Sequence, residues 1–333
     1  PLVTYPETID VSDRGSYQIP CSLLGMLPLK TVQVETVEDQ WVYVSGTTVG
    51  LYMETQGVLI VDTGEITNQS GVPQEPAANI VQPGDYILEV NGKAVSRKRE
   101  LIAEIENCQG EDVELLVNRK GEKIPLSLAP VLTQEEEYKL GIWVRDNTQG
   151  IGTMTYVDEE GKFGALGHGI SDTDTGQLLD VSGGELYQAQ IVSIIRGTQG
   201  VPGELSGYIE YDEEKKIGVI EKNTDIGIFG QIFPGTQLAK EKVMIGYKQE
   251  VKEGKAQLLM ESEGKTEKYD IEITEIYGSQ QDTNKSFQIQ VTDPKLLAKT
   301  GGIVQGMSGS PILQDGKLIG AVTHVFVQDS AKG

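Results

Sequence analysis

Residues 301–327 read GGIVQGMSGSPILQDGKLIGAVTHVFV, and this stretch decides the fold. At its centre Gly306-Met307-Ser308-Gly309-Ser310-Pro311 sets a serine between two glycines and closes the turn with a proline. A serine acting as a nucleophile needs a backbone folded tightly enough to present its Oγ, with N–H groups aimed at the developing oxyanion. Gly306 and Gly309 permit such dihedrals, and Pro311 fixes φ at the exit. An apolar run, a turn at Gln314-Asp315-Gly316-Lys317 and a second apolar run over 318–327 then form a β-hairpin following the serine. Ser310 is the alternative nucleophile in the same turn.

The segment resembles the nucleophile region of chymotrypsin-like serine peptidases, where Gly-x-Ser-Gly-x-Pro precedes a hairpin. It does not fit the Gly-x-Ser-x-Gly elbow of α/β-hydrolases, because position 310 is Ser and strand follows. A plain Gly/Ser turn between strands has the same local pattern, so the rest of the chain has to decide.

With 333 residues the chain holds about two domains and a sizeable core. Abundant glycine (40), few aromatics and short Val/Ile-rich runs point to a mainly β architecture. A formal charge of −22 argues against nucleic acid or an anionic membrane as partner, since both select basic patches. It fits a soluble protein. No run approaches the length of a membrane span. No signal peptide is visible and the chain starts at Pro1, from which we expect a preceding segment to have been removed. Cys21 and Cys108 fit either one disulfide or two buried thiols. Two scattered histidines and two scattered cysteines make no metal site, and without a phosphate loop or dinucleotide fingerprint no cofactor is expected.

In order along the chain we expect an irregular N-terminal extension (1–35), a small α+β domain (36–130), a charged linker (131–138) and a long β-rich domain (139–333). In the second of these, residues 41–44 and 57–62 read as strands and 96–107 as a helix with Leu101, Ile102, Ile105 and Cys108 on one face. Strands over 113–118 and 123–128 follow. The run PAANIVQPGDYILEVNGKAV looks like a bacterial PDZ domain. That resemblance implies a peptide added beside the strand after a glycine-bearing loop whose N–H groups capture a terminal carboxylate. Carried over, the loop is Ser45, Gly46, Thr47, Thr48, Val49 and Gly50, and the binding strand begins at Leu51.

From residue 139 onward many short strands are punctuated by Gly and charged pairs, as in a closed barrel or sandwich. Helical periodicity there is confined to a turn near 294–299. A serine needs a base, and the chain offers only His168 and His324. His168 stands between Gly167 and Gly169, where a substrate can reach the ring, whereas His324 sits inside an expected strand over 321–327. We therefore take His168 as the base, which gives the order His before Ser found in chymotrypsin-like enzymes.

TQGIGTMTY, FGALGHGISD, TQGVPGEL, NTDIGIFG, VTDPKLLAKTGGIVQGMSGSPI and GKLIGAVTHVFV together resemble the stage IV sporulation protein B family over about residues 15–333. The resemblance implies a PDZ domain ahead of a chymotrypsin-like double β-barrel serine peptidase. It also implies release into the space between forespore and mother-cell membranes, self-cleavage in trans, and cleavage of the regulatory subunit of the membrane complex that processes pro-sigma-K. Ser308 would attack the scissile carbonyl, His168 would carry the proton to the leaving amine, and the N–H groups of Gly306 and Ser308 would form the oxyanion hole.

For the acid of the triad, the family motif VTDP points to Asp293, whose other reading is a helix N-cap ahead of a proline. The chymotrypsin-like spacing points to Asp225 instead, while Asp172 and Asp174 read as a solvated turn. Aligned through the serine, the pocket floor that is acidic in trypsin falls on Gly302, and the substrate-pairing segment on Thr323, His324 and Val325. Met307 stands where trypsin-type activation needs an Asp. The competing reading from another class is a catalytically silent PDZ adaptor on a peptidase fold, which loss of Ser308 or His168 would have favoured.

Overall fold

The first element is a hairpin of β1 (Ser16–Leu23) against β2 (Leu27–Glu35), with a bulge between Cys21 and Ser22. This differs from the irregular extension expected over 1–35. Tyr17, Ile19 and Cys21 alternate with more exposed residues at strand period, a pattern that the nearby prolines obscure. The computed structural model describes residues 15–23, 26–36, 38–198, 200–236, 238, 241–277, 285–326 and 329–333. Residues 1–14 of the expected extension and Val327 of the expected 321–327 strand lie outside these. The chain up to residue 40 is one compact unit and residues 41–333 form another.

The second unit opens with β3 (Trp41–Val44) and the sixteen-residue β4 (Thr48–Thr63). Two short pairings follow: β5 (Ile66–Thr67) with β6 (Pro73–Gln74), and β7 (Tyr86–Val90) with β8 (Lys93–Ala94). Then come α1 (Lys98–Asn107), β9 (Val113–Arg119) and β10 (Glu122–Leu128). Helix α1 starts where the Glu100 carboxylate accepts the N–H groups of Ser96 and Arg97, and it buries Leu101 and Ile105. Ile102, expected on the same face, is exposed. The expected linker is itself structured: β11 (Val131–Leu132) pairs with β12 (Tyr138–Lys139), and Lys139 holds Glu135 and Glu137 at the turn.

Strand β13 (Ile142–Val157) is as long as β4 and runs antiparallel to it. The two form a shared stem. Their ends near Val58–Thr63 and Ile142–Arg145 belong with β7, β9 and α1 around a core that includes Val58, Ile60, Ile87, Leu101 and Leu115. Their other ends build a barrel with β14 (Lys162–Ala165), β15 (Val181–Ile195), β17 (Lys216–Thr224) and β18 (Gly227–Ile232), while β16 (Glu204–Ile209) pairs with the far end of β15. The ring runs β4–β13–β14–β18–β17–β15 and returns to β4. Val49, Leu51, Met53, Met154, Phe163 and Leu186 fill it. Gly57, at φ +97, marks the point where β4 leaves the barrel; a Cβ there would stand 2.5 Å from the Ile87 carbonyl oxygen.

This topology corrects two expectations. The small α+β domain does not begin at residue 36, because the first half of β4 is a barrel strand and β3 pairs with β13 and β19. Nor are Ser45, Gly46, Thr47, Thr48, Val49, Gly50 and Leu51 a peptide-binding loop and edge strand. Val49, Gly50 and Leu51 pair with Gly152, Ile151 and Gly150 on one side and with Gln188, Tyr187 and Leu186 on the other. With both edges paired and six of the seven residues buried, no peptide can add there.

The remaining strands are β19 (Glu241–Ile245), β20 (Gly254–Ser262), β21 (Lys265–Ile276), β22 (Phe287–Val291), β23 (Pro311–Gln314) and β24 (Lys317–Ala321). Between β22 and β23 lies α2 (Pro294–Thr300). These strands enclose a second apolar core, into which Leu258, Ile271, Leu296, Ile303, Met307 and Ile312 project. The fold is thus mainly β, as expected. The segment bearing Ser308 buries Met307 in this last core and abuts Leu166 of the barrel core.

Candidate active site

The serine turn is suspended from β13. Thr153 N–H donates to the Ser308 carbonyl at 3.0 Å, and Thr153 Oγ1 to the Gly306 carbonyl at 2.9 Å. Thr155 Oγ1 donates to the Gly309 carbonyl at 2.7 Å. Underneath, Met307 is buried in the second core and its N–H reaches the Val304 carbonyl. Gly306 and Gly309 both sit at φ +94, and a Cβ on Gly309 would stand 2.1 Å from the Thr153 carbonyl oxygen. Glycine is required at position 309 by space as well as by dihedral.

Two amides of this turn, those of Gly306 and Ser308, are left open. Because the peptide unit is planar and trans, N–H and C=O point oppositely. The Gln305 carbonyl accepts from Leu205 N–H and the Met307 carbonyl from Ser310 N–H, which turns the N–H groups of Gly306 and Ser308 away from those partners. Among the described residues neither N–H has an acceptor. Ser308 is half-buried, whereas Ser310 is fully buried with its Oγ unpaired, which removes Ser310 as nucleophile.

His168 is lifted from the end of β14 by a tight, strained turn. Leu166 has φ +69, and Gly167 N–H donates back to the Ala165 carbonyl at 2.9 Å, closing a γ-turn of the rare left-handed kind. Leu166 N–H donates to the Thr153 carbonyl, on the same strand that holds the serine turn. The Cβ position of Gly309 lies 2.5 Å from Leu166 N, so the two loops touch along their backbones. The rings of His168 and His324 are 6.3 Å apart. Ser308 Oγ and the His168 ring do not hydrogen-bond to each other in this structure.

The second ring nitrogen of His168 is held by the backbone. Nδ1 lies 2.7 Å from the Gly169 carbonyl oxygen, which can only accept, so Nδ1 carries the proton and the Nε2 lone pair is left free to accept one. Gly169 is itself fixed, its N–H donating to the Asp225 carbonyl at 3.3 Å. Asn223 braces the same loop from both sides, accepting Ile170 N–H and donating to the carbonyls of Ile170 and Leu179.

Asp293 is elsewhere in role. Its carboxylate accepts the N–H groups of Lys295 at 2.8 Å, Leu296 at 3.2 Å and Asp270 at 3.3 Å, capping α2. Burial alone would raise its pKa, but the hydrogen bonds from Leu296, Asp270 and Lys295 outweigh that and lower it. The expectation that Asp293 supplies the acid at His168 is therefore not met, and the cap reading is. Asp225 does come beside the His168 loop, its backbone carbonyl accepting Gly169 N–H.

Asp172 also departs from expectation. Rather than a solvated turn residue it is buried and paired with Arg145 on β13, while Asp174 meets the same guanidinium at 2.8 Å. Arg145 and Asn223 carry no role in the sequence reading, and Asp172 is read there only as a turn residue. The Asn-Thr-Asp sequence at 223–225 is the one local signal, whereas nothing near Asp172 announces its burial.

Of the expected pocket residues, Thr323 and His324 line a cavity of about 430 Å³ beside the histidine loop; Gly302 and Val325 do not. Gly302 is covered by the Ser330 carbonyl, 2.0 Å from its Cβ position, and Val325 packs on the second core. The strand expected to run through His324 stops at Ala321, because the Val322 carbonyl turns to accept Gly309 N–H. His324 is exposed at the cavity rim. Burial of its ring, with the charges of Lys285 and His168, holds it below the usual histidine value.

Cys21 and Cys108 are both free thiols. Among the described residues there is no cluster of three or more His, Cys, Asp or Glu that could hold a metal, and no helix long and apolar enough to cross a membrane.

Comparison with known proteins matches residues 136–333, more than half of the chain, to the family described as SpoIVB peptidase S55. Residues 69–119 match the PDZ domain family, within the part of the chain built around α1. Among solved structures, the PDZ domain of the SdrC-like protein from Listeria monocytogenes is 21% identical over 27% of this chain and 87% of its own, with a TM-score of 0.21.

Proposed function

This chain belongs to the SpoIVB peptidase S55 family, and on that premise we propose that it is a serine endopeptidase using Ser308 as nucleophile and His168 as base. The observation that carries this reading is the pair of acceptor-free N–H groups of Gly306 and Ser308 in a turn packed against the loop of His168. Ser308 Oγ attacks the peptide carbonyl while Nε2 of His168 takes its proton and then delivers it to the leaving amine. The two N–H groups receive the oxyanion; loss of one such donor lowers the rate about 10²–10³-fold. The Gly169 carbonyl does at Nδ1 what a carboxylate does in other serine peptidases: it keeps the proton there and orients the ring.

Family membership and the PDZ match support the wider role. The enzyme works outside the cytoplasm, between forespore and mother-cell membranes, and cleaves copies of itself. It then cleaves the regulatory subunit of the pro-sigma-K processing complex, with the PDZ unit binding peptide segments. Labelling by a fluorophosphonate tests the chemistry. Wild type should label at Ser308, while Ser308→Ala and His168→Ala should neither label nor self-cleave, with melting temperatures near that of wild type. Self-cleavage persisting in Ser308→Ala would end this reading.

A further inference from the structure

With 50 acidic residues and a formal charge of −22, a carboxylate is the commonest charged neighbour on this chain. The cavity of about 430 Å³ beside the histidine loop breaks that rule: it is lined by no Asp or Glu. Its walls are apolar, with Tyr156, Ile226, Phe229, Phe287, Ile289 and Phe326 drawn from the barrel, the second core and the segments around them. Its only side chains able to carry positive charge are Lys285 and His324, both exposed. Among the described residues Lys285 makes no ion pair, whereas Lys268, Lys299 and Lys317 elsewhere in the second unit are each held by a glutamate. An unpaired cation at the mouth of an apolar cleft, in a strongly acidic protein, is a local reversal of field that favours an anionic ligand group.

The backbone beside the cavity is open as well. The N–H and C=O groups of Thr323, His324 and Val325 have no backbone partners among the described residues, which leaves them to pair with an extended chain, although Gly333 stands against the His324 carbonyl on one side. This segment is contiguous with the serine turn through the bond from Gly309 N–H to the Val322 carbonyl.

We propose that this cleft selects peptide segments in which a large apolar side chain stands next to an acidic one, the first filling the cavity and the second meeting Lys285 at its rim. The proposal rests on the peptidase reading of Ser308 and names the substrate class of that same site. Basic neighbours are disfavoured, because their charge would face Lys285 with no carboxylate to offset it.

The test uses internally quenched octapeptides carrying Leu beside Glu, Gln or Lys, in both orders, with the intact chain and its Lys285→Gln and Lys285→Glu variants. Fluorophosphonate labelling of Ser308 is run alongside. In wild type kcat/KM should fall from Glu to Gln to Lys by about three- to fivefold per step, as for a partly exposed charge pair. Lys285→Gln should flatten the order and Lys285→Glu reverse it, with labelling equal in all three. Replacing Leu by Ser should cost about tenfold or more. With labelling intact, an order unaffected by Lys285→Glu, or a wild-type preference for Lys, overturns this inference and leaves the peptidase reading standing. Absence of both labelling and cleavage overturns the two together.

Discussion

Arg145 Nη1 stands 2.5 Å from Asp172 Oδ2, tying the strand that leaves the PDZ unit to the loop that leaves His168. The tie is reinforced around it. The Tyr86 hydroxyl accepts Asp180 N–H, Leu179 packs against Leu59 and Tyr86, and Asp172 Oδ1 accepts the N–H groups of Asp174 and Thr175. Whatever moves β7 or the end of β13 therefore acts on the segment that carries His168, the proposed base.

We expect Arg145→Ala to lower kcat for peptide hydrolysis about tenfold or more and stability by about 1–3 kcal/mol, since a buried carboxylate loses its partner. Arg145→Lys should recover only part of this, because one ammonium cannot span Asp172 and Asp174 as the guanidinium does. Steady-state kinetics and thermal melts on the three proteins decide it. Unchanged kcat in Arg145→Ala would show the latch to be merely structural.

Asp293→Ala should cost about 1 kcal/mol of stability through the lost helix cap and leave most of the hydrolysis intact, while Asp293→Asn preserves both. The folded-state pKa of this carboxylate is lowered. Its contribution is therefore complete above its unfolded value near ~3.9 and disappears as pH falls through the lower folded value. Melts of wild type and Asp293→Ala should converge below about pH 4. A steep loss of activity in Asp293→Asn at unchanged stability would return the triad role to this residue.

Thr153 holds the Gly306 carbonyl and so the orientation of the serine turn. Thr153→Val keeps the shape of the side chain and removes the donor. Labelling of Ser308 and kcat should both fall about tenfold with KM little changed, since the oxyanion donors act in the transition state and not on bound substrate. A rise in KM alone would place the effect in substrate binding instead.

Leu51 separates the two assignments of the 45–51 segment. It is 2% exposed within the barrel core, so Leu51→Ala should destabilise the whole peptidase by about 2–5 kcal/mol. A peptide-binding strand would instead show weaker peptide affinity at unchanged melting temperature, measurable by titration of the same variant.

The sequence alone carries what depends on near neighbours. The hairpin after Ser308 follows from a Gly-Lys turn between apolar runs, α1 from the spacing of Leu101 and Ile105, and the start of α2 from Asp293 before Pro294. It also singled out Ser308 and His168, because glycines on either side leave few local alternatives for such side chains. Tertiary structure alone decided which strands have free edges. Residues 49–51 carry the same side chains in an edge strand as in a central one, and only the arrival of β13 and β15 on either side settles the matter. The same holds for charge. Asp172 and Asp293 are both aspartates near a turn, yet one is buried against an arginine from another element and the other caps a helix. Burial and pairing depend on residues distant in the chain, and local pattern holds no record of which ones the fold will bring.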